Sequence, residues 1–347
     1  MTVQEAVRDI VAGKNLGERG ACCIASAIMS GQATAAQIGA LLVGLRMKGE
    51  TVEEILGFVR TLRDRMVRVC VSIDGLIDTC GTGGDAAIVD GITTGTFNVS
   101  TVAAFVAAGA GCRVAKHGNR AVSSRCGSAD VLRALELPVE ATATESARWI
   151  DEIGLGFLFA PQFHPSLKHA VKPRHELGVR TILNIAGPLA NPAGAKRQLV
   201  GVFDGALTEL MARVLLELGS THCMVVHSED GLDEISISAP TRVTELRDGH
   251  TRTYTIRPEE FGLTVARLED IRGGDAKVNA EIALQVLRGV RGPKRDIVLL
   301  NAAAAIYVSG RCDSLSKGIP LAEQSIDSGQ AMEKLQALRK RASEKRE

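Results

Sequence analysis

The chain has very few aromatic residues: one Trp, two Tyr and eight Phe in 347 positions, 3% of the whole. A core built without them is mostly aliphatic. The chain also lacks an excess of either charge. It carries 41 basic and 40 acidic residues for a formal net charge of +1, so no basic nucleic-acid footprint is present at the level of the whole chain. Paired cysteines are missing as well. None of Cys22, Cys23, Cys70, Cys80, Cys112, Cys126, Cys223 and Cys312 forms a Cys-x-x-Cys pair, which excludes zinc-ribbon and thioredoxin spacing. Several of them lie in apolar runs, where Cys behaves as a small hydrophobe. The start, Met1-Thr2-Val3-Gln4-Glu5, has no apolar signal-peptide core, and no uncharged apolar run reaches membrane-spanning length. No internal repeat or low-complexity linker is visible. The expectation is a reduced, cytoplasmic protein with neither a nucleic-acid nor a membrane partner.

What the chain does have is length enough for two domains and a change of pattern near residue 70. Before it, Ile38, Leu41, Leu42 and Leu45 recur at helical spacing, and Thr51-Val52-Glu53-Glu54 is a capping-box signature ahead of Ile55, Leu56 and Val59. After it, short strands are expected at Leu76–Cys80, Cys112–Ala115, Gly156–Phe159, Gln198–Val202 and His222–Val226. Helices are expected at Val99–Ala110 and Gly205–Leu218. Antiparallel strands are expected over 241–256 around Asp248-Gly249, and helices again from about 279. The basic, Pro-punctuated stretch Phe163–Ile185 interrupts the alternation, as an insertion packing back onto the first helices would. The fold class predicted is α/β: a small all-helical domain (1–70, completed by about 163–185) and a large α/β domain (71–162 and 186–347) with a mainly parallel central sheet.

The chemistry concentrates between Asp78 and Asp130. Gly81-Thr82-Gly83-Gly84-Asp85 follows a strand; alone it is as readily an ordinary turn. Asn98-Val99-Ser100-Thr101 opens an apolar helix; the plain reading is a cap, the functional one an anion at the helix N-terminus. Lys116-His117-Gly118-Asn119-Arg120 is harder to explain structurally, because two cations, a Gly and an Asn at a strand end are costly unless solvated or liganded. Ser123, Ser124 and Ser128 extend the same donor-rich loop. Asp233-Glu234, adjacent carboxylates after a strand, are surface charges by default and Mg²⁺ ligands beside a polyphosphate. His164 and Arg174 lie in the basic insertion, where a solvated face is the plain reading, although an Arg can clamp a carboxylate. Together these parts describe a pocket for a highly phosphorylated small molecule.

Over nearly its whole length the sequence resembles the anthranilate phosphoribosyltransferases. The resemblance is carried by Gly44–Thr51, Gly81–Asp85, Phe97–Thr101, Lys116–Arg120, Gly127–Asp130, Arg174–Pro192 and Asp233-Glu234. It implies that Gly81, Gly84, Asp85, Thr96, Asn98, Val99, Ser100, Thr101, Lys116, His117, Gly118, Asn119, Arg120, Ala121, Val122, Ser123, Ser124 and Ser128 hold phosphoribosyl pyrophosphate. It implies that Gly81, Asn119, His164 and Arg174 meet anthranilate, and that Ser100, Asp233 and Glu234 bind Mg²⁺. Lys116, Asp233 and Glu234 are then the catalytic set, acting on the leaving pyrophosphate, and the family is homodimeric through its helical domain.

Two other readings stand beside this one. One is a relative acting on another aromatic acid, or a nucleoside phosphorylase. The other is a non-catalytic nucleic-acid-binding relative, which the near-zero net charge disfavours. The chain also departs from the family pattern. Asp85 and Asn98 are thirteen positions apart, a longer spacing than the family's, with the extra residues in Ala86–Thr94 and a turn expected at Asp90-Gly91. Cys126 stands where the family often has Ser.

Overall fold

The structure, a computed structural model, describes residues 1–83, 87–89, 92–121 and 126–344, without the side chains of 87–89, 92–94 and 343. Gly84, Asp85, Asp90-Gly91, Val122, Ser123 and Ser124 from the sequence reading lie outside the described residues.

Four helices come first: α1 (Val3–Val11), α2 (Gly17–Met29), α3 (Ala35–Lys48) and α4 (Val52–Arg65). Thr2, Thr34 and Thr51 close capping boxes with Glu5, Gln37 and Glu54, each cap being worth about 1 kcal/mol. Glu54 does more than cap. Its buried carboxylate also accepts from the Leu16 amide at 2.9 Å and from Lys48 Nζ at 2.9 Å, so the start of α4 is tied to the loop before α2 and the end of α3.

The α/β part follows. Its elements are β1 (Leu76–Asp78), the hairpin β2 (Ala87–Val89) and β3 (Ile92–Thr94), α5 (Val99–Gly109), β4 (Arg113–Gly118), α6 (Ser128–Ala134), α7 (Ala143–Ile153) and β5 (Leu155–Phe159). After these come α8 (Ala160–Phe163), α9 (Lys168–Leu177), α10 (Ile182–Ala186), β6 (Arg197–Gly201), α11 (Leu207–Glu217), β7 (His222–Ser228), β8 (Thr241–Arg247) and β9 (His250–Ile256). The chain closes with α12 (Ala276–Leu287), α13 (Pro293–Ser309), α14 (Leu315–Asp327) and α15 (Gln330–Glu344). The central sheet runs β5-β4-β1-β6-β7-β8-β9, parallel from β5 to β7 and antiparallel at β8 and β9. The class is the one predicted: a small helical domain and a large α/β domain with a mostly parallel seven-stranded sheet.

One sheet face is covered by α5 and α13, which are apolar nearly all round and pack on each other. The other face carries α11, and its apolar cluster runs on into α1–α4 without a break. α9 packs on α2 and α3, and α10 packs on α3 and α4. Among the described residues no helix is long and apolar enough to cross a membrane.

Two departures from the sequence reading shape the site. β4 does not end at Ala115: Lys116, His117 and Gly118 continue the strand, in register with Phe157, Leu158 and Phe159 of β5. Strand alternation therefore sends the Lys116 and His117 side chains to opposite faces of the sheet. The lengthened Asp85–Asn98 stretch is also not a structureless loop. Ala87–Val89 and Ile92–Thr94 pair with each other antiparallel, and the following Gly95 and Thr96 pair with Arg272 and Gly273. The described residues of the insertion thus pair with one another, and the chain is fastened to the 272–273 segment before α5 begins.

Candidate active site

β1 lies between β4 and β6, the point where strand order reverses, and loops leaving the carboxyl ends of these strands diverge to form a crevice. A cavity of about 520 Å³ occupies it. Of the predicted residues, Gly81, Thr96, Asn98, Ser100, Thr101, Lys116, His117, Gly118, Asn119, Arg120, Ala121, Ser128, His164, Arg174, Asp233 and Glu234 all line it. Val99 does not: its side chain is fully buried in the core between sheet and helices, which leaves it only a backbone role.

The crevice has two chemically different sides. On the α5 side, buried Lys116 donates to the Thr79 carbonyl, with Thr79 Oγ1 and Ser100 Oγ each at 3.3 Å. Asn98 heads α5 without capping it by its own side chain, so the positive end of the helix dipole faces the crevice. The Ser100 amide donates to Glu234 Oε1 at 3.1 Å, and the Gly83 amide donates to Asp233 Oδ2 at 2.9 Å. Two carboxylates, a hydroxyl and an ammonium thus converge at one helix N-terminus. Hard oxygen donors of this kind suit Mg²⁺ better than a thiophilic ion.

On the opposite side, His117 meets His164, with ring centroids 5.1 Å apart and planes tilted by 52°. Neither ring has a hydrogen-bond partner of normal geometry. Burial pushes His117 down to about 3 and His164 down to about 4. Arg174, half-buried on α9, has its pKa lowered by burial and forms no ion pair among the described residues. Both imidazoles are therefore neutral at pH ~7, beside the Arg174 cation.

The scaffold under both sides escaped the sequence reading. Buried Asp78 accepts from the His117 amide at 3.1 Å and from Asn191 Nδ2 at 2.7 Å, which locks β1 to β4. Burial raises its carboxyl to about 6. Asp78, Cys80 and His117 bring ligand-type atoms within 4.8 Å of one another. However, both Asp78 oxygens are already engaged and burial pushes the Cys80 thiol up, so the cluster is a support for the strands. Asp130 Oδ2 accepts from the Ala121 and Gly127 amides at 3.0 and 2.9 Å, which ties the end of the segment after β4 to the start of α6. Arg272, Gly273, Gly274 and Asn279 also line the cavity. They come from a segment with no charge run or motif to mark it.

Two measurable consequences follow from this packing. A Cβ on Gly201 would sit 1.5 Å from the Asp233 carbonyl oxygen. Gly201→Ala must push the Asp233-Glu234 turn away from Gly83 and Ser100, and a shift of about 1 Å in a positioned group costs ~10²-fold in rate. Steady-state kinetics beside a melting curve checks this, and wild-type turnover in the variant would contradict it.

The second consequence is a pH dependence. Unfolded imidazoles protonate near ~6.5, whereas the folded His117 and His164 wait until about 3 and about 4, so their stability is complete above pH ~6.5 and is lost as pH falls. Asp78 works in the opposite sense, binding its proton near 6 when folded and near ~3.9 when unfolded. Between pH ~6 and ~4 the unfolded chain therefore holds one more proton across these three groups. Their net effect is a loss of ~1.4 kcal/mol per pH unit on acidification. In His117→Asn the remaining two groups cancel, and their contribution becomes flat over that window. Urea titrations at several pH values measure the slope; an identical slope in the variant would refute the assignment.

The comparisons agree with this geometry. Residues 4–66 match the helical bundle domain of the glycosyl transferase family, and residues 74–332 match its a/b domain. The anthranilate phosphoribosyltransferase of Moorella thermoacetica is 53% identical over 332 residues, covering 96% of both chains. That of Thioalkalivibrio sulfidiphilus is 52% identical over 338 residues, covering 97% of this chain and 98% of its own. The crystal structure of the Thermus thermophilus enzyme superposes with a TM-score of 0.90 at 41% identity, covering 97% of this chain and 99% of its own. The Saccharomyces cerevisiae enzyme in complex with PRPP and Mg superposes with a TM-score of 0.88 at 26% identity, covering 99% and 98%. These relatives lend no support to a different aromatic acceptor or to a nucleic-acid-binding role. The chain belongs to the anthranilate phosphoribosyltransferases, which transfer the 5-phosphoribosyl group of phosphoribosyl pyrophosphate to the amine of anthranilate, with release of pyrophosphate, in tryptophan biosynthesis.

Proposed function

We propose that the two sides of the crevice divide the two substrates, with the phosphoribosyl donor on the α5 side of β4 and anthranilate on the His117 side. The observation that carries this is the alternation of Lys116 and His117, one among phosphate-type donors and the other on a neutral wall that leads to Arg174. The donor is held by Gly81, Thr96, Asn98, Ser100, Thr101, Lys116, Gly118, Asn119, Arg120, Ala121 and Ser128, with the backbone of Val99 and His117. Gly84, Asp85, Val122, Ser123 and Ser124, outside the described residues, complete the set. Anthranilate is held by Asn119 and Arg174, with Gly81 and His164 beside it. The helical domain 1–70 with about 163–185, and the α/β remainder, are the units that meet at this crevice.

Ser100, Asp233 and Glu234 would hold Mg²⁺, a reading supported by their convergence at the start of α5. The ion would supply electrostatic stabilisation of pyrophosphate oxygens. The chain's own residues do the rest. Arg174 orients the carboxylate so that the neighbouring amine faces C1 of the ribose. The nitrogen lone pair forms the new C1–N bond as the C1–O bond to pyrophosphate breaks, and the oxygen leaves with the electron pair. The nitrogen then gives up a proton, which passes to water or to the departing pyrophosphate. Lys116 and the positive end of the α5 dipole meet the charge that grows on the leaving group. The neutral His117 and His164 keep the acceptor side free of competing cations.

We further infer a homodimer through the helical domain and a cytoplasmic location. Val11 and Met47, large apolar side chains 81% and 83% exposed on α1 and α3, support the first. The activity test is the loss of anthranilate fluorescence on mixing with phosphoribosyl pyrophosphate and Mg²⁺. Turnover that persists after complete chelation of metal would overturn the metal assignment.

A further inference from the structure

Asn279 lies at the end of the first turn of α12, 2% exposed, far in sequence from the motifs above. Both ends of its amide are used. Its Oδ1 accepts from the Gly274 amide at 2.8 Å, and its Nδ2 donates to Asn98 Oδ1 at 3.1 Å. Asn98 Nδ2 in turn donates to the Cys126 carbonyl at 3.1 Å. A backbone N–H can only donate and a carbonyl can only accept, so the two ends of this relay set the direction of both amides between them. Turning either amide over would break two bonds.

The relay explains why Asn98 heads α5 without capping it. Its side chain is committed to a bridge between two distant segments, and the Ser100 amide at the helix start is met by the Glu234 carboxylate instead. The segment before Asn279 is fastened to the same place. Gly273 donates to the Gly95 carbonyl at 3.1 Å, and a Cβ on Gly273 would sit 2.6 Å from the Phe97 amide nitrogen, so the two strands touch backbone to backbone. Cys126 stands just before α6. Through the Asn98 amide, therefore, the start of α5, the approach to α6 and the α12 segment are held in a single register around the donor side of the cavity.

We infer that Asn279 is a positioning residue for the phosphoribosyl donor, acting through Asn98 and Cys126 and leaving the acceptor side untouched. This rests on the reading that Asn98 faces the donor. Removing the donation to Asn98 frees its amide to rotate and releases the loop at Cys126. Arg174 and His164, carried by the α8–α9 region, have no part in the relay.

The test is steady-state kinetics on the full chain with Mg²⁺, for Asn98→Ala, Asn279→Ala, Asn279→Asp and the double Ala variant, with melting curves with and without phosphoribosyl pyrophosphate. Asn279→Asp keeps an acceptor for Gly274 but cannot donate to Asn98, so it carries the test if the Ala variant fails to fold. Each single variant is expected to raise KM for the donor about tenfold, with KM for anthranilate held within about twofold. The double variant should be no worse than the worse single one, because both remove the same relay. An Asn98→Ala protein with an unchanged donor KM would sink the donor reading itself. A raised donor KM in Asn98→Ala but not in the Asn279 variants, or effects that add fully in the double, would sink the positioning role. A lowered melting point with both KM values unchanged would reduce Asn279 to a structural residue.

Discussion

Replacing Asp233 by Asn and Glu234 by Gln together is expected to lower kcat by ~10³-fold while the protein still folds and still binds anthranilate. The amides retain the oxygens that accept from the Gly83 and Ser100 backbone, so the turn keeps its anchors and the melting point should move little. What is lost is negative charge at the start of α5. Asp233 and Glu234 lie across that helix N-terminus from Lys116 and Ser100, where charge grows on the departing pyrophosphate. A pair of carboxylates beside a polyphosphate lowers affinity unless a cation stands between them, so the double variant should also lose most of its Mg²⁺ dependence. Kinetics as a function of Mg²⁺ concentration, beside a calorimetric titration with anthranilate, separates these effects. If the variant turned over within tenfold of the unmodified chain, the two carboxylates would serve the packing of this turn and not the chemistry.

Arg174→Ala is expected to raise KM for anthranilate by ~10²-fold with the donor KM nearly unchanged. A charge-assisted, bidentate contact to a carboxylate is worth ~1.5–3 kcal/mol, which covers that factor. The structure supports the size of the effect. Holding a guanidinium half-buried has a desolvation cost, and burial does depress its pKa. No carboxylate of the described chain forms an ion pair with it. His117 and His164, which line the same cavity, remain unprotonated at working pH and add no competing charge. Arg174→Lys should recover part of the loss, since an ammonium restores charge but not the planar fork. Equal increases in both KM values would place Arg174 outside the acceptor side.

Much of this was readable before any coordinates. The Thr51–Glu54 capping box, the helical spacing of Ile38, Leu41 and Leu42, and the strand–helix alternation are local patterns. A local pattern is dictated by neighbours in sequence, and that is why α3, α4, β6, α11 and β7 fall close to where they were expected. The Lys116–Arg120 segment was legible because its charges had no plausible place in a core. Other features were not. The length of β4 depends on β5 as a pairing partner, and a Lys-His pair gives no sign of a buried strand. The Ala86–Thr94 insertion read as a loop because its two strands find their partner only in each other.

By itself, then, the sequence determined the class of the fold, the family and the identity of the groups around the crevice, because local periodicity, caps and densely charged motifs are properties of contiguous residues. Tertiary structure alone decided which face each group serves. It placed Lys116 and His117 on opposite sides of one strand, committed Asn98 to a bridge rather than a cap, joined Asp78 to Asn191 beneath the site, and brought Arg272 and Asn279 to a site neither of them announces. Hydrogen bonds and ion pairs in a buried crevice form between residues more than a hundred positions apart, and only the closing of the sheet makes them neighbours.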